Sequence, residues 1–254
     1  MPVRPPEHNR NADTHINEIC GICANPAREI AMDPHAFWQD LLPPATYPTD
    51  GPFEHAYPAE LDDGRQLLLP IRALGDTGNG LASLIINQAS FDVAETLALK
   101  LAERLRPAAP EVVIGLPTLG LTLAAGVARA LGHRRYVPLG NSRKFWYEDA
   151  LSVPLSSVTT PGAGKRLFID PRMLPLIEGR RVALVDDVIS SGSSIVSALT
   201  LLAAIGVKPV AIGSAMLQTR RYSESLAAIE ACPEPVAAFS TPLLSRDRTG
   251  RWHR

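Results

Sequence analysis

Two adjacent carboxylates, Asp186 and Asp187, close the apolar run Val182-Ala183-Leu184-Val185 and are followed by Val188, Ile189 and five small residues, Ser190-Ser191-Gly192-Ser193-Ser194. A run that is apolar on both faces reads as a central parallel strand. That puts the acid pair where the strand ends, on the edge of an α/β sheet at which ligands bind. The small residues offer backbone N–H groups and hydroxyls at the start of a helix carrying Ile195, Val196, Leu199 and Leu202, and such a helix start holds a phosphate without needing a cation. Carboxylates for sugar hydroxyls beside a seat for phosphate describe a phosphosugar site. The plainer alternative is a pair of solvated strand-end carboxylates with Ser193 or Ser194 merely capping a helix.

Three further segments carry groups suited to the same chemistry. Pro117, Thr118, Leu119 and Gly120 join an apolar run to the start of a helix near Leu121, a second anion seat in which Gly120 lets a ligand approach the main chain. Arg143 and Lys144 follow Tyr136-Val137-Pro138-Leu139 and combine a planar fork for phosphate oxygens with a compact point charge; elsewhere such a pair is simply solvated. Between Phe145 and Lys165 lies a Ser-, Thr-, Pro- and Gly-containing stretch with little periodicity, long enough to be a lid that delivers Lys165 and Arg166. Phe145-Trp146-Tyr147 either stacks on a base or packs under a loop.

The strand, acid pair, two aliphatics and small-residue loop resemble, almost residue for residue, the 5-phosphoribosyl 1-diphosphate (PRPP) signature of the type I phosphoribosyltransferases. The resemblance runs from about Glu111 to Phe239. It implies that Asp186 and Asp187 engage the ribose hydroxyls, directly or with Mg²⁺, and that Ser190, Ser191, Gly192, Ser193 and Ser194 wrap the 5′-phosphate. It assigns pyrophosphate to Pro117, Thr118, Leu119 and Gly120, with Arg143, Lys144, Lys165 and Arg166 as its cations. Serine replaces the usual Thr and second Gly, most notably at Ser193, where any need for positive φ would favour glycine. The implied reaction transfers the phosphoribosyl group of PRPP to a nitrogenous base, a purine by the Arg-Lys pair and segment order, in a Mg²⁺-dependent homodimer. The implied fold is a doubly wound, mostly parallel α/β sheet with a small hood lobe that selects the base. A PRPP-sensing regulator or a non-catalytic PRPP-binding subunit is the rival reading.

The elements that must position these groups are legible from periodicity. Ser90 is placed to cap a helix with Ala94, Leu97, Ala98, Leu101 and Leu105 on one face, ending before Pro107. Strands are expected over 111–116, 136–139, 166–169, 182–185, 209–217 and 236–239, with intervening helices closed by Gly132 and Gly206. Strand and helix alternate, as in a parallel sheet. Ahead of these, 66–71 reads as an edge strand because of Pro70, and 82–87 as another strand. The organisation expected is a disordered extension over 1–31, a hood and edge segment over 32–90, the PRPP-binding core over 91–240, and a polar, basic tail over 241–254 that joins the hood.

Composition narrows the classes. A formal net charge of −1 over 254 residues gives no global field toward nucleic acid or an acidic membrane. No apolar run reaches the roughly 18 residues of a membrane span, and Glu7, His8, Arg10 and Asp13 interrupt any signal-peptide core. A cytoplasmic protein with no nucleic-acid or membrane partner is expected. Cys20, Cys23 and Cys232 are too few and too odd for a disulfide framework. Cys20 and Cys23 with His15 and His35 could form a zinc site, against the preferred reading of a proline-rich lead-in that Met32, as an alternative start, would omit. Thr159 and Arg166 occupy positions where a Walker A loop around Gly164-Lys165 needs Gly and Ser or Thr. No dinucleotide fingerprint follows any strand, and no motif places a Ser-His-Asp or Cys-His set.

Overall fold

The computed structural model describes residues 32–155 and 165–254. The 1–31 extension with Cys20 and Cys23, the use of Met32 as a start, and the 156–164 part of the expected lid lie outside the described residues. The chain forms β1 (Ala56–Glu60), β2 (Gln66–Ala73), β3 (Asn79–Ala82), α1 (Phe91–Leu105), β4 (Val112–Gly115), α2 (Gly120–Ala130) and β5 (Val137–Pro138). A hairpin of β6 (Ser152–Pro154) and β7 (Arg166–Phe168) precedes α3 (Leu174–Ile177). Then come β8 (Val182–Ile189), α4 (Ser193–Ala204), β9 (Ala211–Gln218), α5 (Tyr222–Ala227), β10 (Val236–Thr241), β11 (Leu243–Arg246) and β12 (Trp252–His253).

The central sheet has the order β10-β9-β8-β4-β5 and is parallel throughout. Strand alternation feeds two cores: Ala183 and Val185 pack with residues of α1 and α2, while Val182 and Leu184 pack with residues of α3 and α4. The architecture is therefore a doubly wound α/β fold. The chain winds outward in one direction from β4 to β5 and in the other from β8 to β10, so the switch point falls between β4 and β8, where the crevice of such sheets binds ligands. Helix α1 shows how local sequence builds the frame. Ser90 Oγ accepts the Val93 N–H at 3.3 Å, and Val93, Leu97, Ala98, Leu101, Ala102 and Leu105 are buried. Each large aliphatic in that stripe contributes roughly 1.5–3 kcal/mol on burial.

A second, antiparallel sheet has the order β1-β2-β3-β11-β12. Phe53 and Trp252 exchange backbone hydrogen bonds of 2.8 and 2.7 Å, curling the last strand back toward the entry to the first. Phe53, Tyr57, Leu67, Leu69 and Trp252 share one apolar core with α1, α2 and Phe239 of β10.

Three expectations are corrected here. First, β2 is not an edge strand: it pairs with β1 up to Pro70 and with β3 from Ile71. Pro70 stands at the handover between two ladders, where its missing N–H interrupts neither. Second, the strand expected over 82–87 ends at Ala82. The carbonyls of Ala82 and Ser83 are taken by side chains, Gln218 Nε2 at 2.7 Å and Trp38 Nε1 at 3.0 Å, and the chain turns into a 3₁₀ segment at Ile86–Gln88. Third, the strand carrying the acid pair runs on to Ile189, because Asp186, Val188 and Ile189 pair with Ser214, Met216 and Leu217 of β9. Among the described residues no helix is long and apolar enough to cross a membrane.

Candidate active site

Strand β8 loses its β4 neighbour after the Gly115 and Val185 pair, since the chain turns away through Leu116 to Gly120 into α2. Asp186 and Asp187 are thus paired on one side only and open onto the switch-point crevice. Asp186 is buried and Asp187 half-buried; the Asp187 N–H donates to Asp186 Oδ1 at 2.9 Å. Burial first, and the neighbouring Asp187 charge second, push the Asp186 carboxyl well above the usual carboxylate range; burial raises Asp187 too. An acid pair that resists ionising in isolation suits hydroxyl donors or a cation, either of which relieves the repulsion. Among the described residues no cluster of three or more His, Cys, Asp or Glu could hold a metal ion, so an ion here would take the rest of its oxygens from a ligand, as Mg²⁺ commonly does.

Helix α4 opens at Ser193 behind Gly192, whose φ of +82° is the left-handed turn that releases the chain from β8 into the helix. The positive φ falls on Gly192 and not on Ser193, so serine at 193 costs no backbone strain. Ser191 and Ser193 hydroxyls lie 3.1 Å apart. Neither N-cap residue, Gly192 of α4 nor Leu119 of α2, offers a capping side chain; Ser191 Oγ accepts the Ser193 N–H at 3.5 Å, and the next first-turn N–H groups are open to a ligand. At the other wall, Pro117, Thr118, Leu119 and Gly120 lead into α2; the Pro117–Thr118 peptide is cis, and Asn141 Nδ2 donates to Thr118 Oγ1 at 3.3 Å. That bond ties this turn to the loop after β5.

Arg143 and Lys144 lie exposed on that loop, with Arg143 Nη1 on Asp149 at 3.2 Å. The aromatic triplet anchors the loop: Trp146 Nε1 donates to Asp170 at 3.2 Å, Arg172 lies 4.5 Å over the Trp146 ring, and Tyr147 packs 5.7 Å from Phe168. Phe145 is 96% exposed. Lys165 is exposed at the end of the β6–β7 hairpin beyond the Pro154 and Arg166 pair. Arg166 is turned onto Ser152, with bonds of 2.8–3.0 Å to its Oγ and carbonyl, so it clamps the hairpin and does not face the crevice. The crevice therefore gathers the acid pair, the serine loop and the Thr118–Gly120 turn, with Arg143 and Lys144 on the adjoining loop. It also gathers Arg221, whose guanidinium donates to Ser190 Oγ at 2.6 Å; no local motif marks this residue in the sequence.

Residues 81–243 match the phosphoribosyl transferase domain family. The chain belongs to that family. Orotate phosphoribosyltransferase of Halorhodospira halophila is 32% identical over 139 residues, covering 54% of this chain and 57% of that one. A bifunctional protein PyrR of Streptomyces coelicolor is 34% identical over 142 residues, covering 52% and 67%. The chain thus spans little more than half the length of the orotate relative. Among solved structures, adenine phosphoribosyltransferase of Thermoanaerobacter pseudethanolicus aligns with a TM-score of 0.52 at 16% identity, over 68% of this chain and 95% of that one. The Giardia lamblia enzyme complexed with 9-deazaadenine aligns with a TM-score of 0.53 at 18% identity, over 67% and 93%. At these identities the likeness establishes the phosphoribosyl transferase fold.

Proposed function

We propose that the protein is a Mg²⁺-dependent phosphoribosyltransferase that joins PRPP to a nitrogenous base, giving a nucleoside 5′-monophosphate and pyrophosphate. The observation that carries this reading is an acid pair on β8, Asp186 buried and Asp187 half-buried, set between two helix starts, α2 and α4, whose N-cap residues offer no capping side chain. A substrate with phosphate at both ends of a ribose fits that sequence of groups, and family membership supports it.

In this reading Ser190, Ser191, Gly192, Ser193 and Ser194 receive the 5′-phosphate, and Asp186 and Asp187 accept the ribose hydroxyls. Pro117, Thr118, Leu119 and Gly120, with Arg143, Lys144 and the hairpin cation Lys165, receive pyrophosphate, while Arg166 stays on Ser152 as the hairpin clamp. Mg²⁺, when bound through Asp186 and Asp187 directly or through water or ribose hydroxyls, supplies neutralising charge to the pyrophosphate oxygens. The C1–O bond breaks with its electron pair leaving on pyrophosphate, the base nitrogen bonds to C1, and the nitrogen's proton is released. No protein nucleophile takes part. Fixing both ends of the substrate and preorganising positive charge at the leaving group lower the barrier.

The antiparallel sheet formed by β1–β3 with β11 and β12 is the hood that selects the base. A purine is the acceptor by the Arg143-Lys144 pair; the orotate relative makes a pyrimidine the second reading. A homodimer in the cytoplasm completes the proposal, with exposed Phe145 as an apolar contact, and light scattering of the purified protein tests the assembly. The deciding experiment follows pyrophosphate release from Mg²⁺-PRPP across purine and pyrimidine bases, with Asp187→Asn as control. Release that depends on one base establishes the transferase. Tight PRPP binding without release under any base makes the protein a PRPP-sensing regulator, and no PRPP binding overturns both readings.

A further inference from the structure

We infer that Arg221 is a binding residue for the 5′-phosphate, and hence the group by which this protein distinguishes phosphorylated from unphosphorylated ribose; the inference rests on the proposed function. The serine loop is electrically neutral. It offers hydroxyls and N–H groups to a monoester that carries close to two negative charges at neutral pH, and two of those hydroxyls, Ser191 and Ser193, already face each other at 3.1 Å. Arg221 supplies the missing charge from the turn that follows the neighbouring strand, β9. One guanidinium N–H rests on Ser190 Oγ at 2.6 Å, and the side chain is exposed. Among the described residues no carboxylate pairs with it, so the rest of its fork is open to an anion.

The backbone is built to deliver it. Strand β9 ends at Gln218, and Thr219 follows with φ +67°, a left-handed conformation that a β-branched residue seldom adopts. Three bonds hold this turn. The Thr219 N–H donates to the Thr241 carbonyl at 2.9 Å, Thr219 Oγ1 accepts the Arg221 N–H at 3.3 Å, and Gln218 Nε2 reaches the Ala82 carbonyl at 2.7 Å. On the far side, Tyr222 is buried against Gly192, where an added methyl would meet its Cβ at 3.3 Å. Arg221 is therefore fixed between a locked left-handed turn and a residue packed on the phosphate loop itself. Backbone strain of this kind at a ligand edge is a sign of function.

The test titrates the wild type and the Arg221→Ala, Arg221→Gln and Arg221→Lys proteins with ribose 5-phosphate, with ribose, and with Mg²⁺-pyrophosphate. Removing the guanidinium is expected to weaken ribose 5-phosphate at least tenfold and to leave pyrophosphate within twofold, with lysine restoring part of the loss. The preference of the wild type for ribose 5-phosphate over ribose should fall in step. Unchanged ribose 5-phosphate affinity, or an equal loss for both probes, overturns the inference and leaves Arg221 as a brace for Ser190. A wild-type protein that binds neither ribose 5-phosphate nor PRPP fails at the level of the proposed function instead.

Discussion

A methyl group on Gly120 would stand 2.7 Å from Asp186 Oδ1 and 2.9 Å from its Cα. The start of α2 and the acid pair of β8 are thus in van der Waals contact, and the two walls of the crevice are set by the absence of a single side chain. Gly120→Ala is expected to push Asp186 out of place, lowering PRPP turnover more than tenfold while costing about 1–3 kcal/mol of stability, the usual range for overpacking. Steady-state kinetics beside thermal unfolding check it; full activity would show that the walls move independently.

Asp187→Asn separates chemistry from stability. Burial holds both carboxyls toward their protonated forms, and the Asp187 charge adds to this at Asp186, so replacing Asp187 with a neutral amide removes a repulsion on Asp186. The variant should unfold at or above the wild-type temperature while losing about a hundredfold or more in turnover, the scale of removing one preorganised polar group. A fall in unfolding temperature parallel to the loss of activity would assign Asp187 a structural role.

The serine loop gives a contrast between neighbours. Gly192 has φ +82°, so Gly192→Ala should cost about 1–2 kcal/mol, the left-handed penalty for an L-residue. Ser193 has no such conformation, so Ser193→Gly should lower stability by about 0.5–1 kcal/mol through chain entropy, besides losing the contact of its hydroxyl with Ser191. Urea unfolding of the two variants checks the order, and a gain on Ser193→Gly would move the strained position by one residue.

Asp170 gives the pH dependence. Its hydrogen bonds from Arg172 hold the carboxyl well below the usual carboxylate range, against the opposing effect of burial. A lowered folded-state pKa supplies stability that is present above the unfolded value, about 4, and is lost as pH falls below it. Wild type and Asp170→Asn should therefore differ in unfolding temperature by a constant amount from pH 7 to about 5 and converge below about pH 4. Parallel curves down to pH 3 would remove Asp170 as the source.

Trp146 tests how the cation loop is held. Trp146→Phe keeps the ring under Arg172 but loses the bond to Asp170, and Trp146→Ala loses both. The KM for PRPP should rise in that order, severalfold for alanine, with kcat little changed, because the substitution loosens Arg143 and Lys144 without touching the acid pair. A fall in kcat at constant KM would count against this role.

Periodicity exposes those parts of the fold in which one segment decides its own state. The stripe of α1 is legible because each of its apolar residues meets the same core, and β8 is legible because both of its faces are buried. Residues 82–87 are misleading because Gln218 and Trp38, remote in sequence, take the carbonyls that a strand partner would use. The stretch from Leu243 reads as polar because β11 and β12 are short, and Arg246 covers the Trp252 ring at 5.4 Å. In the crevice, the acid pair and both helix-start loops are contiguous motifs, whereas Arg221 lies 31 residues beyond Ser190 and arrives only through the turn at Thr219.

The antiparallel sheet is built from both sides of the chain. β3 borders β11, and Gly80 lies so close beneath Trp252 that an added methyl would meet its ring carbons at 2.6–2.9 Å. On a ribosome the residues of β1–β3 appear before the parallel sheet, and their partners β11 and β12 only after every strand of that sheet has been made. The nascent chain therefore carries an open β3 edge until β11 is made, and the antiparallel sheet closes only after the parallel one exists.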